Sequence, residues 1–142
     1  MRGAERALVI ILRAIAVAAA LAIVPVFMPH AWMDACHRGL GLGPLPERPV
    51  IVYLTRSLSA LYVFHAGVLW VAAADVRRYA GLITYLAAAF VGFGVVTVWI
   101  DVHAQLPWFW ILAEGPFGIV LGAAMFLLVR RICRAEPKDH RT

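Results

Sequence analysis

Two opposite charges lie inside otherwise apolar stretches of this sequence. Arg56 is about six residues into the second of four such stretches, and Glu114 is about six residues into the fourth. An ionised side chain in hydrocarbon costs roughly 2.5–3.5 kcal/mol on insertion scales, so each residue needs a partner or a polar cavity. A guanidinium and a carboxylate can form a forked, charge-assisted pair. These two residues are therefore the first candidates for a functional site.

The depth of the two charges favours a pairing between helices. Both stretches run from outside to inside, so six helical residues put each side chain about 9 Å below the outer boundary. Ser59 and Tyr62 follow Arg56 on the same helix and complete the candidate set. The pair is either a structural clamp without chemistry or a ligand-binding or proton-handling site, and the sequence leaves both interpretations open.

A second group of residues has the types that bind metal ions. His30, Asp34 and His37 are spaced i, i+4 and i+7, which aligns them on one face of a helix. His103 and Asp101, on the other outer loop, would complete the ligands if the two loops fold together. The Gly- and Pro-rich run after His37 breaks helix, and the spacing matches no specific signature, so a solvated amphipathic segment is favoured over a metal site. No other cofactor is predicted.

The composition identifies the class of protein that carries these residues. Of 142 residues, 63% are hydrophobic and 15% are charged, and the mean hydropathy is +0.84, which is more apolar surface than one soluble domain can bury. A spanning helix needs about 20 apolar residues. We predict an all-α, four-transmembrane-helix bundle that forms one integral membrane domain over residues 1–142. The predicted spans are 7–28, 50–74, 79–100 and 108–129.

The distribution of Lys and Arg predicts the orientation of the spans. Nine of these residues flank one predicted face and two, Arg38 and Arg48, flank the other. Both termini are therefore expected in the cytoplasm, with an outer connection over 29–49 and a cytoplasmic tail over 130–142, in the inner membrane. The net charge of +5 follows from this bias and favours contact with membrane lipids over nucleic acid.

The two cysteines argue against redox chemistry. Cys36 is in the outer connection and Cys133 is in the tail, so the membrane separates two sulfurs that would need Cα atoms within about 7 Å to bridge. No C-x-x-C motif is present. We predict no internal disulfide.

Small residues in the last two spans indicate close helix packing. Gly118 and Gly122 form a G-x-x-x-G pair with Gly115 nearby, and Gly92 and Gly94 lie in the third span. Gly115 is followed by Pro116, which is expected to perturb the helix next to Glu114.

A family resemblance covers roughly residues 50–129. The residues that carry it are Arg56-Ser57, Tyr62, Gly67, Arg78, Phe90-Val91-Gly92-Phe93-Gly94, Asp101, Pro107, Glu114 and Gly118. Their order resembles that of small DoxX-like four-helix bacterial membrane proteins, some of which are associated with oxidoreductase partners. The resemblance implies the four-helix fold, and no activity is carried over from it.

Two function classes follow from these observations. The first is an interaction or accessory subunit of the cytoplasmic membrane, with a protein partner or a second copy, because packing features are plentiful and reactive ones are scarce. The alternative is a membrane-embedded transporter or enzyme for a lipid-like small molecule, centred on Glu114 and Arg56. Whether the protein is an enzyme stays open from the sequence.

Overall fold

The computed structural model describes residues 3–134, and within that range every regular element is helical. The helices are α1 (Gly3–Ala20), α2 (Ile23–Phe27), α3 (His30–Gly39), α4 (Pro49–Ala74), α5 (Ala80–His103) and α6 (Trp108–Arg134). The end of the predicted tail, residues 135–142, lies outside the described residues, as does Arg2.

Four helical segments are long and apolar enough to cross a membrane. They are Gly3–Phe27, Pro49–Ala74, Ala80–His103 and Trp108–Arg134. This confirms the all-α class and the four apolar spans, whereas the bundle arrangement and the cytoplasmic termini stay predictions. The fourth span was predicted at 108–129, and α6, which contains it, is described as far as Arg134. A helix can continue beyond the apolar span into polar surroundings, so the two bounds are compatible.

The helix of the first span is interrupted near its end. Leu21 and Ala22 separate α1 from α2, and Pro25 lies inside α2. Proline has no N–H to donate to the carbonyl four residues earlier, and its ring collides with that carbonyl. The Leu21 carbonyl instead accepts from the N–H of Val24, three residues on, at 3.1 Å. The position of Pro25 therefore explains why the helix is interrupted at Leu21 and Ala22.

The described residues fall into two compact units. The central unit is Ala14–Trp70. The hairpin unit comprises the residues before Ala14 and those from Val71 onward.

The core of the hairpin unit is a seam between α5 and α6. Buried residues recur at alternating spacings of three and four along both helices, which is the spacing that keeps one face turned toward a neighbouring helix. On α5 they include Ile83, Ala87, Gly94, Thr97 and Asp101; on α6 they include Gly115, Gly122, Met125, Val129 and Ile132.

Glycines bring the two helices of this seam into close contact. A Cβ added at Gly122 would lie 2.6 Å from the Ala87 carbonyl oxygen, and one added at Gly94 would lie 2.6 Å from the Gly115 carbonyl oxygen. Real Cβ atoms do not approach so closely, so glycine is required at these positions. The close-packing interpretation is confirmed for them. Gly92 has open space around it and does not share in this contact.

The start of α1 follows the same rule of periodic burial. Glu5, Leu8 and Leu12 are spaced by three and four residues, and all three are buried. The apolar residues buried at the end of α4 and in the turn after it include Ala72, Ala73 and Val76. Glu5 thus occupies a position at which this spacing predicts an apolar side chain.

In the central unit, α3 ends in a glycine turn. Gly41 and Gly43 have φ of 73° and 82°, a region that residues with a Cβ rarely adopt. The N–H groups of Leu40 and Gly41 close the last turn of α3 onto the carbonyls of Cys36 and Arg38. The chain can therefore leave α3 and enter α4 at Pro49 after a connection of nine residues.

We predict that Gly122→Ala destabilises the protein, by about 1–3 kcal/mol, because the new methyl group forces α5 and α6 apart. The measurement is thermal unfolding of the purified protein in detergent. Gly92→Ala is the matched control, since a Cβ there meets nothing and alanine favours helix. Equal melting of the two variants would contradict the seam.

Candidate functional site

Arg56 lines a groove in the central unit. The groove has a volume of about 700 Å³ and is open to the surroundings. Its lining residues are His30, Glu47, Arg48, Pro49, Val52, Tyr53, Arg56 and Ser57. We call it the Arg56 groove. Two guanidiniums face one carboxylate there, so the fixed charge of its lining is positive.

The contacts of Arg56 show how the groove is built. Its Nη2 donates to the Met28 carbonyl oxygen at 3.3 Å, and the rest of the side chain is exposed. That carbonyl is available because Met28 ends α2 in extended conformation, just before Pro29. The end of the first span therefore supplies the backbone acceptor that holds this arginine.

The other polar groups of the groove are partly satisfied. His30 Nδ1 lies 3.9 Å from a carboxylate oxygen of Glu47, whose side chain is 88% exposed. His30 Nε2 is buried and has no hydrogen-bond partner among the described residues. Ser57 lines the groove, whereas the predicted Ser59 is buried and Tyr62 is half-buried, both outside this lining.

Glu114 has a partner on its own helix. The Trp110 indole N–H donates to its carboxylate at 2.8 Å, and the Glu114 side chain is exposed. Helix α6 continues through Pro116 without a break. Arg56 belongs to the central unit and Glu114 to the hairpin unit. Their pairing stays a prediction.

The predicted metal ligands of α3 are engaged in local contacts. Asp34 accepts from the Leu45 backbone N–H at 2.7 Å and from Arg38 Nε at 2.8 Å. His37 Nδ1 donates to the Gly43 carbonyl oxygen at 2.8 Å. Hydrogen bonds from Leu45 and then from Arg38 lower the pKa of Asp34, because they favour its charged form. These contacts fold the glycine turn back onto the helix.

The hairpin unit holds the remaining predicted ligands. His103 Nδ1 donates to the Trp99 carbonyl oxygen at 2.7 Å, one helical turn away. Between residues 3 and 134, no group of three His, Cys, Asp or Glu side chains is placed to hold a metal ion. The metal site stays a prediction, and the contacts found at α3 serve a structural role.

An ion pair that the sequence did not suggest lies in the hairpin unit. Glu5 is buried, and Arg77 Nε donates to its Oε1 at 3.0 Å while Nη2 contacts the same oxygen. The neighbouring Asp75 accepts from the backbone N–H groups of Arg77 and Arg78 at 3.2 and 3.0 Å. Asp75 thus shapes the turn that presents Arg77 to Glu5.

A second acid on a buried face has a different environment. Asp101 is 4% exposed, and its Oδ2 has no hydrogen-bond partner among the described residues. The register of the seam, in which Gly94 meets Gly115 and Ala87 meets Gly122, puts Asp101 level with the first turn of α6. A buried acid oxygen without a donor is costly, which singles out Asp101 among the residues of this seam.

The sequence contained one indication that Glu5 is buried. Its spacing from Leu8 and Leu12 places it on the face that those leucines bury. A buried carboxylate requires a cationic or hydrogen-bonding partner. The identity of that partner, 72 positions away, could not be read from local spacing.

In comparisons with known proteins, the chain matches no family model, no curated protein and no solved structure.

We predict that Glu5→Gln lowers the free energy of unfolding by about 1–3 kcal/mol, the range for a lost hydrogen bond to a charged group. The loss arises because Arg77 keeps its charge without the carboxylate. Thermal or denaturant unfolding in detergent measures it. Glu47→Gln removes the same charge from an 88% exposed side chain and is the control. A Glu47 variant as unstable as the Glu5 variant would refute a specific ion pair.

We predict that the stabilising contribution of Asp34 depends on pH. Its pKa is lowered in the folded state, so the contribution is fully present above the ordinary carboxyl value of about 4 and is lost as pH falls through the lower folded value. Melting temperatures of the unaltered protein and Asp34→Asn should differ at pH 6 and converge below pH 4. A difference that persists unchanged to pH 3 would count against this assignment.

Proposed function

We propose that this chain is a multi-pass protein of the inner membrane, with both termini in the cytoplasm, that binds a lipid-like molecule with an acidic head group at the Arg56 groove. The observation that carries the proposal is the position of Arg56 in the lining of an open groove at the start of an apolar helix. The four apolar helices support the membrane location.

The charges of the groove fit an acidic head group. Arg48 precedes α4 and Arg56 lies eight positions later, about 12 Å along the helix axis. Guanidiniums bind phosphate or carboxylate through paired hydrogen bonds. The Tyr53 hydroxyl and Ser57 hydroxyl add donors to the same lining.

The surface next to the groove fits an apolar tail. Helix α4 leaves Phe64 and Val68 exposed, at 76% and 42%, and they lie seven and eleven residues after Ser57, on the same side of the helix as that lining residue. A molecule whose head group contacts Arg56 can therefore extend its tail along α4 within the hydrocarbon. This continuity favours an amphiphile over a small polar anion. The proposal concerns binding, and it assigns no reaction.

A role as an interaction or accessory subunit is the second candidate. The tight α5–α6 seam favours it, because that hairpin is a firm scaffold with large apolar side chains on its outer faces, such as Trp99 and Val120. The G-x-x-x-G residues themselves face α5, so a partner helix would bind elsewhere on the hairpin. The resemblance to DoxX-like proteins stays a prediction that bears on the fold only.

The test of ligand binding is lipid retention by the purified full-length chain. We expect phosphatidylglycerol to stay bound in native mass spectrometry, and phosphatidylcholine to be lost. Arg56→Gln and Arg48→Gln should each weaken retention about fivefold, the effect of losing one cation near an anionic lipid.

Arg131→Gln is the matched control, because it removes one exposed arginine from α6, and no residue of α6 lines the Arg56 groove. A control variant that loses as much lipid as the Arg56 variant would contradict a specific site. Stoichiometric co-purification of a protein, with no lipid retained, would refute the ligand proposal and support the accessory role.

A further inference from the structure

A separate groove lies at the start of α1 in the hairpin unit. Its volume is about 410 Å³. The polar side chains in its lining are Glu5, Arg6, Arg13, Asp75 and Arg77, and the apolar ones are Val9, Ile10, Ala73, Ala74 and Val76. We call it the Arg13 groove. It shares no residue with the Arg56 groove.

We propose that the Arg13 groove binds the phosphate group of an anionic phospholipid, with the lipid's acyl part against the apolar wall. This site is a second one, and the proposal does not depend on the Arg56 groove.

The charge balance of the lining favours an anion. It contains three guanidiniums and two carboxylates. Both carboxylates already accept hydrogen bonds from the chain, Glu5 from the Arg77 side chain and Asp75 from the Arg77 and Arg78 backbone. The excess of one positive charge is what a phosphodiester, with one negative charge, would neutralise.

The spacing of the arginines points to a ligand that enters the membrane. Arg6 and Arg13 are seven residues apart, two turns and about 10.5 Å along one face of α1. Val9 and Ile10 lie between them in the same lining. A free phosphate would leave this apolar stretch uncovered, whereas a phospholipid covers it with its glycerol and acyl groups. Basic pockets between helices bind lipid head groups in this manner.

The ion pair of Glu5 and Arg77 fixes the position of one side of the Arg13 groove. Because Glu5 is on the buried face of α1, its contact with Arg77 holds the turn after α4 next to the first turns of α1. Arg77 is 43% exposed at its side chain, so the guanidinium also faces the groove. The same contact that stabilises the unit thus positions one of the three cations.

The test counts phosphatidylglycerol molecules retained by the full-length protein in native mass spectrometry. The double variant Arg6→Gln/Arg13→Gln should lose one retained lipid, with affinity reduced about 25-fold, fivefold for each arginine. Ala74→Trp fills the groove without removing a charge, since Ala74 is exposed in the lining, and should lose the same lipid. If the double variant does not fold, Ala74→Trp alone decides the outcome.

The control is Arg131→Gln/Arg134→Gln, which removes two exposed arginines from the last turn of α6. Its affinity for the lipid should stay within about twofold of that of the unaltered protein.

Equal loss of lipid in the control, or full retention in both Ala74→Trp and the double arginine variant, would overturn the proposal. Displacement of the lipid by equimolar inorganic phosphate would also overturn it, because the site would then be one for a free anion. Arg56→Gln should cause the loss of a different lipid molecule, so that binding at the Arg13 groove can be told apart from binding at the Arg56 groove.

Discussion

The burial of the Glu5 carboxylate is the constraint on which the hairpin unit depends. In an apolar helix, a charged group on the inward face is tolerated only with a partner, and removing one partner of such a pair is strongly unfavourable. The chain supplies Arg77 from the turn after α4, and Asp75 shapes that turn through two backbone hydrogen bonds. The start of α1 is thereby fixed to a turn more than 70 residues away, and the Arg13 groove is formed between them.

Glycine sets the second constraint in the same unit. Gly94, Gly115 and Gly122 let the backbones of α5 and α6 approach until added methyl groups would collide with carbonyl oxygens. Such packing relies on van der Waals contact, which is what drives helix association when the surroundings are as apolar as the side chains. Asp101 is on the same seam, and its Oδ2 has no hydrogen-bond donor within residues 3–134. The seam therefore combines tight packing with a buried polar group that is costly to keep there.

The sequence predicted the features that depend on local composition. Four apolar helices followed from runs of about 20 residues, and the close packing at Gly122 followed from a four-residue spacing. From the sequence, a helix at α3 was only a condition for the metal site. The contact from Asp34 to Leu45 crosses the turn at Gly41 and Gly43, and residue periodicity does not predict the path of such a turn. The partner of Glu5 was missed because hydropathy gives the face of a helix and not the neighbour it meets. For the same reason the sequence could propose Arg56 and Glu114 as a pair but could not establish it.

Photo-crosslinking in vesicles would test whether the arginines near the starts of α1 and α4 form grooves for acidic amphiphiles. A phosphatidylglycerol analogue with a photoreactive group near the phosphate would be incorporated with the full-length protein, and adducts would be mapped by mass spectrometry. We expect adducts concentrated on residues 5–13, 47–57 and 73–77, with few from a matched phosphatidylcholine analogue. Equal labelling by both analogues, spread evenly over the four apolar helices, would contradict it.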